Sequence, residues 1–243
     1  DMCWRTTLAL CCLARRVCAL TTTGHETCRR QRCLLRAKKR RSFSSSSSSS
    51  PEIAALPREA QRPRLVVFDL DNTVWNPELY QLGRRPKAGK DIDLCEGARD
   101  ALFDLATNTG AWADSAAAVA SRTDRGELAE ELLGEFEAVP GVSLAAVLPH
   151  REIFTGSKRK HFRNLHDKTG IPFRDMIFFD DWTQNLGDVA QLGVLGIHTP
   201  RGLTRDLWRG GLLAYARLKA QNTAFMGRVF TPADLAQLPP SLE

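Results

Sequence analysis

Val66–Trp75 reads VVFDLDNTVW, and with Leu65 in front of it four apolar residues run unbroken into two aspartates one residue apart. An apolar run without polar alternation, Leu65 to Phe68, is what a parallel strand covered on both faces requires. Its exit into Asp69 and Asp71 puts two like charges at the strand's carboxyl end, the edge where open parallel sheets form their ligand crevice. Strand side chains repeat every two residues, so both carboxylates point the same way.

The pattern recurs at Met176–Phe179 (MIFF), which ends in Asp180 and Asp181. Between and beyond these strands the periodicity alternates. Gly97–Thr107 (GARDALFDLAT) has helical spacing and Gly110 as its stop, and Ser115–Ala120 (SAAAVA) predicts a short buried strand. Asp124–Phe136 reads as a helix with Asp124 and Glu127 at the spacing of a capping box. Lys158–Lys168 is a further helix, stopped by Gly170 and Pro172. Asn185–Leu192 is helical, Gly193–His198 a strand and Thr204–Ala220 a last amphipathic helix. Strands alternating with helices predict an α/β fold, a Rossmann-like three-layer sandwich around a central parallel sheet.

The chain's net charge of +6 invites a nucleic-acid partner until it is partitioned. Residues 1–50 hold eleven of the 34 Lys and Arg and two of the 28 acids, which leaves 23 basic and 26 acidic residues in the remainder. A mildly acidic body argues against polynucleotides, which favour basic surfaces. Six of the seven cysteines also lie in the first fifty residues, so the body is built for a reducing compartment. Residues 1–50, rich in Arg, Ser and Thr and ending in a seven-serine run, resemble an organellar transit peptide, chloroplast or mitochondrial; a merely disordered or spurious upstream stretch in a cytoplasmic protein is the alternative. The apolar segment Leu8–Leu20 is broken by Arg15 and Arg16 and is too short to span a membrane. Residues 51–63 read as a linker, 64–220 as the folded α/β domain and 221–243 as a tail of unassigned role.

Four acids, Asp69, Asp71, Asp180 and Asp181, at one sheet edge repel one another and raise each other's pKa unless a cation joins them. Oxygen-only ligands point to a hard ion such as Mg²⁺. A calcium loop of EF-hand type fails, because Val74 stands where that loop needs glycine and Tyr80 where it needs glutamate. The D-x-D of metal-dependent sugar transferases and a plain surface turn remain open on these residues alone. Ser121 after the alanine-rich strand and Lys158 at a helix start add a hydroxyl and an ammonium at the same edge. Together these groups are what phosphoryl transfer through an aspartyl-phosphate needs.

In that order, Asp69-Leu70-Asp71-Asn72-Thr73, Ser121, Lys158 and Asp180-Asp181 resemble the four motifs of the haloacid dehalogenase (HAD) superfamily. The segments ASRTD, REIFTGSK, HFRNLHDKTGIPF and MIFFDDWTQN are similar to its magnesium-dependent, acid phosphatase-like family. The resemblance implies a Mg²⁺-dependent phosphatase acting on a phosphorylated small molecule or phosphoprotein, with substrates of phosphotyrosine or sugar-phosphate type. It implies Asp69 as nucleophile and Asp71 as general acid and base. Mg²⁺ would be held by Asp69, by the backbone carbonyl of Asp71 and by Asp181, with Asp180 in support. Lys158 and Ser121, with the backbone N–H groups of Leu70 and Arg122, would cradle the phosphoryl oxygens. The Arg122 guanidinium is a further candidate contact, which a salt bridge at a helix start explains equally well. The short stretch Asn76–Leu94 leaves no room for a large cap, so the site is expected to be open. A phosphatase for nucleotides or nucleic-acid ends and a non-catalytic phosphate-binding module are the competing functions.

Overall fold

The structure is a computed structural model that describes residues 60–107 and 110–239. The expectation for residues 1–50 lies outside the described residues. In chain order the elements are β1 (Leu65–Phe68), β2 (Trp75–Asn76), β3 (Asp93–Leu94), α1 (Glu96–Thr107), β4 (Ala116–Ser121), α2 (Gly126–Glu135), β5 (Glu137–Val139), β6 (Val142–Ser143) and α3 (Leu144–Val147). They continue with β7 (His150–Ile153), α4 (Lys158–Thr169), β8 (Met176–Asp180), α5 (Thr183–Ala190), β9 (Leu195–His198), α6 (Arg205–Ala220), β10 (Val229–Phe230) and α7 (Pro232–Ala236).

Six strands form one sheet in the order β10-β9-β8-β1-β4-β7, every pairing parallel. The strand period of two divides the apolar run of β1 between two cores. Val66 and Phe68 face Val119, Ile177 and Phe179 together with the apolar sides of α1 and α6, while Leu65 and Val67 face Ala118, Ala120 and Phe178 with Phe162 and Leu165 of α4 and Leu186 and Val189 of α5. All four side chains of β1 are buried, each contributing about 1.5–3 kcal/mol. The result is the three-layer α/β sandwich that the alternation predicts.

One close approach seats α1 against the start of α6. Gly97 of α1 donates its N–H to the Leu203 carbonyl at 3.0 Å, and a Cβ there would lie 2.2 Å from the carbonyl carbon of Thr204. Helix α4 ends where expected, with Gly170 in the left-handed region at φ 67° accepting the role of C-cap.

Several boundaries differ from the sequence reading. The expected capping box at Asp124 and Glu127 does not form: α2 starts at Gly126, and the Thr123 hydroxyl accepts the Arg125 N–H instead. Strand β7, unforeseen because HREI shows no clean apolar pattern, closes one edge of the sheet. Residues past 220, which matched nothing recognisable, supply β10 at the other edge and α7, whose Leu235 joins the core. The stretch between β1 and α1 carries the small antiparallel pair β2–β3 and a short 3₁₀ turn at Leu79–Gln81, and β4 and α4 are separated by α2, the hairpin β5–β6, α3 and β7, so no large cap stands over the sheet's carboxyl edge among the described residues.

Candidate active site

Register assembles the site. Phe68 lies level with Val119 and with Phe179, so the next residues, Asp69, Ala120 and Asp180, emerge side by side, and Asp69 N–H donates to the Phe179 carbonyl at 2.9 Å. Lys158 is the first residue of α4, behind Ser157 as N-cap, and its side chain, 1% exposed, reaches back to the sheet. Its Nζ donates to Asp69 Oδ1 at 2.6 Å and to the Ala120 carbonyl, and lies 3.0 Å from Asp180 Oδ2. Burial pulls this ammonium's pKa down, but Asp69 and Asp180 outweigh burial and hold it above its ordinary value.

Asp69, Asp180 and Asp181 each offer a carboxylate oxygen, all within 4.8 Å of one another. Burial pushes the Asp69 carboxyl up, Lys158 opposes, and Asp180 and Asp181 add to the rise. Asp181 is pushed up to about 6 by burial and then by Asp180, against the amide of Asn72. One ammonium thus faces three acids. The all-oxygen set, its spacing and its surplus negative charge fit a hard divalent cation such as Mg²⁺. The side chain of Asp71 is not in this trio, which leaves its backbone carbonyl as the expected ligand atom.

Asp71 is held by different partners. Its Oδ1 accepts from the Trp75 indole at 2.7 Å and from the Leu79 N–H at 3.3 Å. Burial pushes its pKa up, partly offset by the Trp75 hydrogen bond. The turn that brings Trp75 back is tight: the N–H groups of Thr73, Val74 and Trp75 all donate to the Leu70 carbonyl, and Asn72 takes φ 55°, a region that asparagine tolerates better than most residues. The Asn72 amide bonds Glu78 and reaches Asp181 Oδ2 at 3.4 Å. Thr73 is buried, its hydroxyl 3.1 Å from that of Thr199 just past β9.

Ser121 closes β4 and is buried, and its Oγ accepts the Thr123 N–H at 3.3 Å. His161 of α4 sits behind it, with Nε2 3.0 Å from the carbonyls of both Ser121 and Phe154. The Arg122 guanidinium makes no ion pair at the start of α2. It donates to Asn185 Oδ1 at 3.0 Å and lies 5.3 Å from the Trp182 ring centre. Asn185 Nδ2 in turn donates to both oxygens of Asp180 at 3.1 Å. Asp69, Asp71, Ser121, Arg122, Lys158 and Asp181 line one cleft of about 610 Å³, and Asp180 lies buried beneath it. Leu70 contributes backbone only. Asn72, Trp75, His161 and Asn185 were not singled out from sequence, although Asn185 stands one helical turn beyond Asp181, where a residue of α5 can reach back.

Residues 61–218 match the family described as Acid Phosphatase. The chain is 37% identical over 169 residues to magnesium-dependent phosphatase 1 of Homo sapiens, spanning 65% of this chain and 90% of that protein. It is 31% identical over 151 residues to a HAD-like hydrolase superfamily protein of Schizosaccharomyces pombe, spanning 54% and 83%. A haloacid dehalogenase-like family hydrolase from Xanthomonas campestris superposes with TM-score 0.47 at 14% identity, over 67% of this chain and 99% of that one. The chain belongs to the acid phosphatase family, the magnesium-dependent phosphatases of the haloacid dehalogenase superfamily.

Proposed function

We propose that this phosphatase hydrolyses phosphate monoesters in two displacements at phosphorus, with Asp69 and Asp71 in separate roles. In the first, a carboxylate oxygen of Asp69 bonds to phosphorus while the ester P–O bond breaks, and Asp71 gives its proton to the departing oxygen. In the second, water attacks the aspartyl-phosphate, Asp71 takes the water's proton, and the Asp69 carboxylate and inorganic phosphate are released. Lys158 neutralises charge on the phosphoryl oxygens, and Ser121 with nearby backbone N–H groups orients them. Asp69, the Asp71 carbonyl and Asp181, with Asp180 in support, would hold Mg²⁺, whose charge would let an anionic nucleophile meet an anionic phosphate.

The observation that carries this reading is the unequal setting of the two aspartates: Asp69 is clamped by Lys158 beside the acid pair, whereas the Asp71 side chain is turned away onto the Trp75 indole and the Leu79 N–H. The open cleft suits phosphotyrosine or sugar-phosphate esters. Hydrolysis of p-nitrophenyl phosphate by the purified full chain with Mg²⁺, repeated with EDTA and with Asp69→Asn, tests the scheme. Activity that survives either treatment refutes it. We read residues 1–50 as an organelle-targeting segment; a reporter fused to them that stays diffuse in the cytosol refutes this.

A further inference from the structure

Trp182 contributes little to the fold where it stands. It occupies the position before α5 where Ser, Thr, Asp or Asn supplies a capping side chain, and its own side chain caps nothing. The contact at that helix start comes from Asp180, whose Oδ1 accepts the Trp182 N–H at 2.7 Å. The indole itself is 54% exposed. Tyr80, from the stretch between β2 and β3, is 62% exposed. Among the described residues four large apolar side chains stand this open, Tyr80, Phe103, Trp182 and Met226, and two of them line the cleft that holds Asp69 and Asp71.

The indole is also held. The Arg122 guanidinium lies over its ring, Asn185 fixes Arg122, and Asp180 fixes Asn185. A stacked guanidinium restrains an aromatic ring without covering its outer surface. An exposed ring already ordered loses little freedom when a ligand lies against it. The phosphoryl end of a substrate is provided for by Asp69, Ser121 and Lys158, so whatever it is esterified to must leave past the remaining lining of the cleft, which includes Glu78, Tyr80, Thr155 and Trp182.

We propose that Trp182, braced by Arg122, and Tyr80 are specificity-determining residues that grip the leaving group, favouring esters whose leaving group presents a flat ring face. The proposal rests on the phosphatase reading above. It is tested with the full chain in Mg²⁺ by comparing kcat/KM for benzyl, cyclohexylmethyl and ethyl phosphate in the wild type, Trp182→Ala, Trp182→Phe and Tyr80→Ala. The expected result is a benzyl-to-ethyl ratio that falls about two- to tenfold in each alanine variant, the scale of one aromatic contact, and that Trp182→Phe largely restores. A fall confined to benzyl supports the grip on a flat ring; a cyclohexylmethyl-to-ethyl ratio falling equally shows apolar contact without preference for a flat face and overturns it. Loss of equal size on all three esters, or no change in the ratios, overturns the proposal. Calorimetric binding of benzylphosphonate and ethylphosphonate separates the two readings. If Mg²⁺-dependent turnover is absent but Trp182→Ala erases a preference for benzylphosphonate, the catalytic reading fails and the grip stands; if neither phosphonate is preferred, the grip fails.

Discussion

Replacing Lys158 by methionine removes one ammonium and leaves Asp69 and Asp180 buried against an apolar stem of similar length. At an effective dielectric near 20, an N–O separation of 2.6 or 3.0 Å corresponds to about 6 kcal/mol of attraction per pair. Desolvation of the three ions consumes much of it, and breaking a buried pair by deleting one partner costs about 3–5 kcal/mol in net terms. For a folded body of this size that is a fall of roughly 6–20 °C in Tm. The pKa of Lys158 is raised, so its contribution is fully present below the ordinary lysine value of 10.5 and is lost only as pH climbs through the raised one; at pH 7.5 it is intact. Burial raises the Asp69 carboxyl to about 8, so the deficit of Lys158→Met shrinks as pH falls from 9 to 7 and that carboxyl takes up its proton. Urea unfolding in EDTA at pH 9 and pH 7, with Lys158→Met/Asp180→Asn as the coupled variant, measures each step. The double variant should lose less than the two single losses added together, because it deletes one of the stranded charges. A loss below about 1 kcal/mol for Lys158→Met, or a deficit that grows on acidification, refutes the electrostatic account.

Asp181, with a folded pKa of about 6 against 3.8, penalises the metal-free fold; the penalty is absent below 3.8, accumulates up to 6 and is constant above it. Discounted for its solvent access, Asp181→Asn should stabilise the EDTA-treated protein by about 1–2 kcal/mol at pH 7.5 and hardly at all at pH 4, while weakening the rise in Tm on adding Mg²⁺, all readable by thermal melts. Since burial raises Asp71, its acid form persists to higher pH than an ordinary aspartate's. Asp71→Asn should lower kcat about 10²–10⁴-fold on alkyl phosphates and flatten the alkaline limb of the pH–rate profile. Gly97→Ala should cost about 3 kcal/mol or more in urea unfolding, because backbone atoms of Thr204 lie 2.2 Å from the new methyl and cannot retreat without moving α6.

The strands that build the site were legible because burial on both faces imposes an unbroken apolar run, as in β1 and β8, and because each run breaks into aspartate. Strand β4 was placed one residue early, with consequence: its last residue is Ser121 itself, so the hydroxyl is set by strand register and not by a loop. Strand β7 escaped notice because an edge strand has one neighbour and tolerates charge; its buried Glu152 is satisfied by Lys168 and by the Asn164 amide at 2.7 Å, both on α4 and invisible as local pattern. Strand β10 is two residues long and exists by pairing with β9, for which no periodicity can speak. The capping-box spacing at Asp124 and Glu127 misled because α2 begins later, at Gly126, which leaves Asp124 outside the cap position, with the Thr123 hydroxyl accepting the Arg125 N–H.

Within the motif itself, spacing places two carboxylates on one side of a strand but does not make them different. The difference comes from the three residues that follow. Asn72 at φ 55° turns the chain so tightly that Leu70 O collects three amides, and the turn returns the Trp75 indole to Asp71. Thr73 anchors that turn to Thr199, and its carbonyl accepts the Leu203 N–H at 3.0 Å, tying the loop after β1 to the chain beyond β9. Without the turn Asp71 would continue the strand direction, with no donor to hold it apart from the acids of β8. A threonine at position 73 therefore serves the chemistry at one remove: its methyl and hydroxyl are buried under the loop, and the hydroxyl's partner sits at the end of a strand two places across the sheet. In the scheme proposed above, the assignment of nucleophile and proton carrier is thus a product of tertiary structure acting on a pattern that, as sequence, is symmetric between its two aspartates.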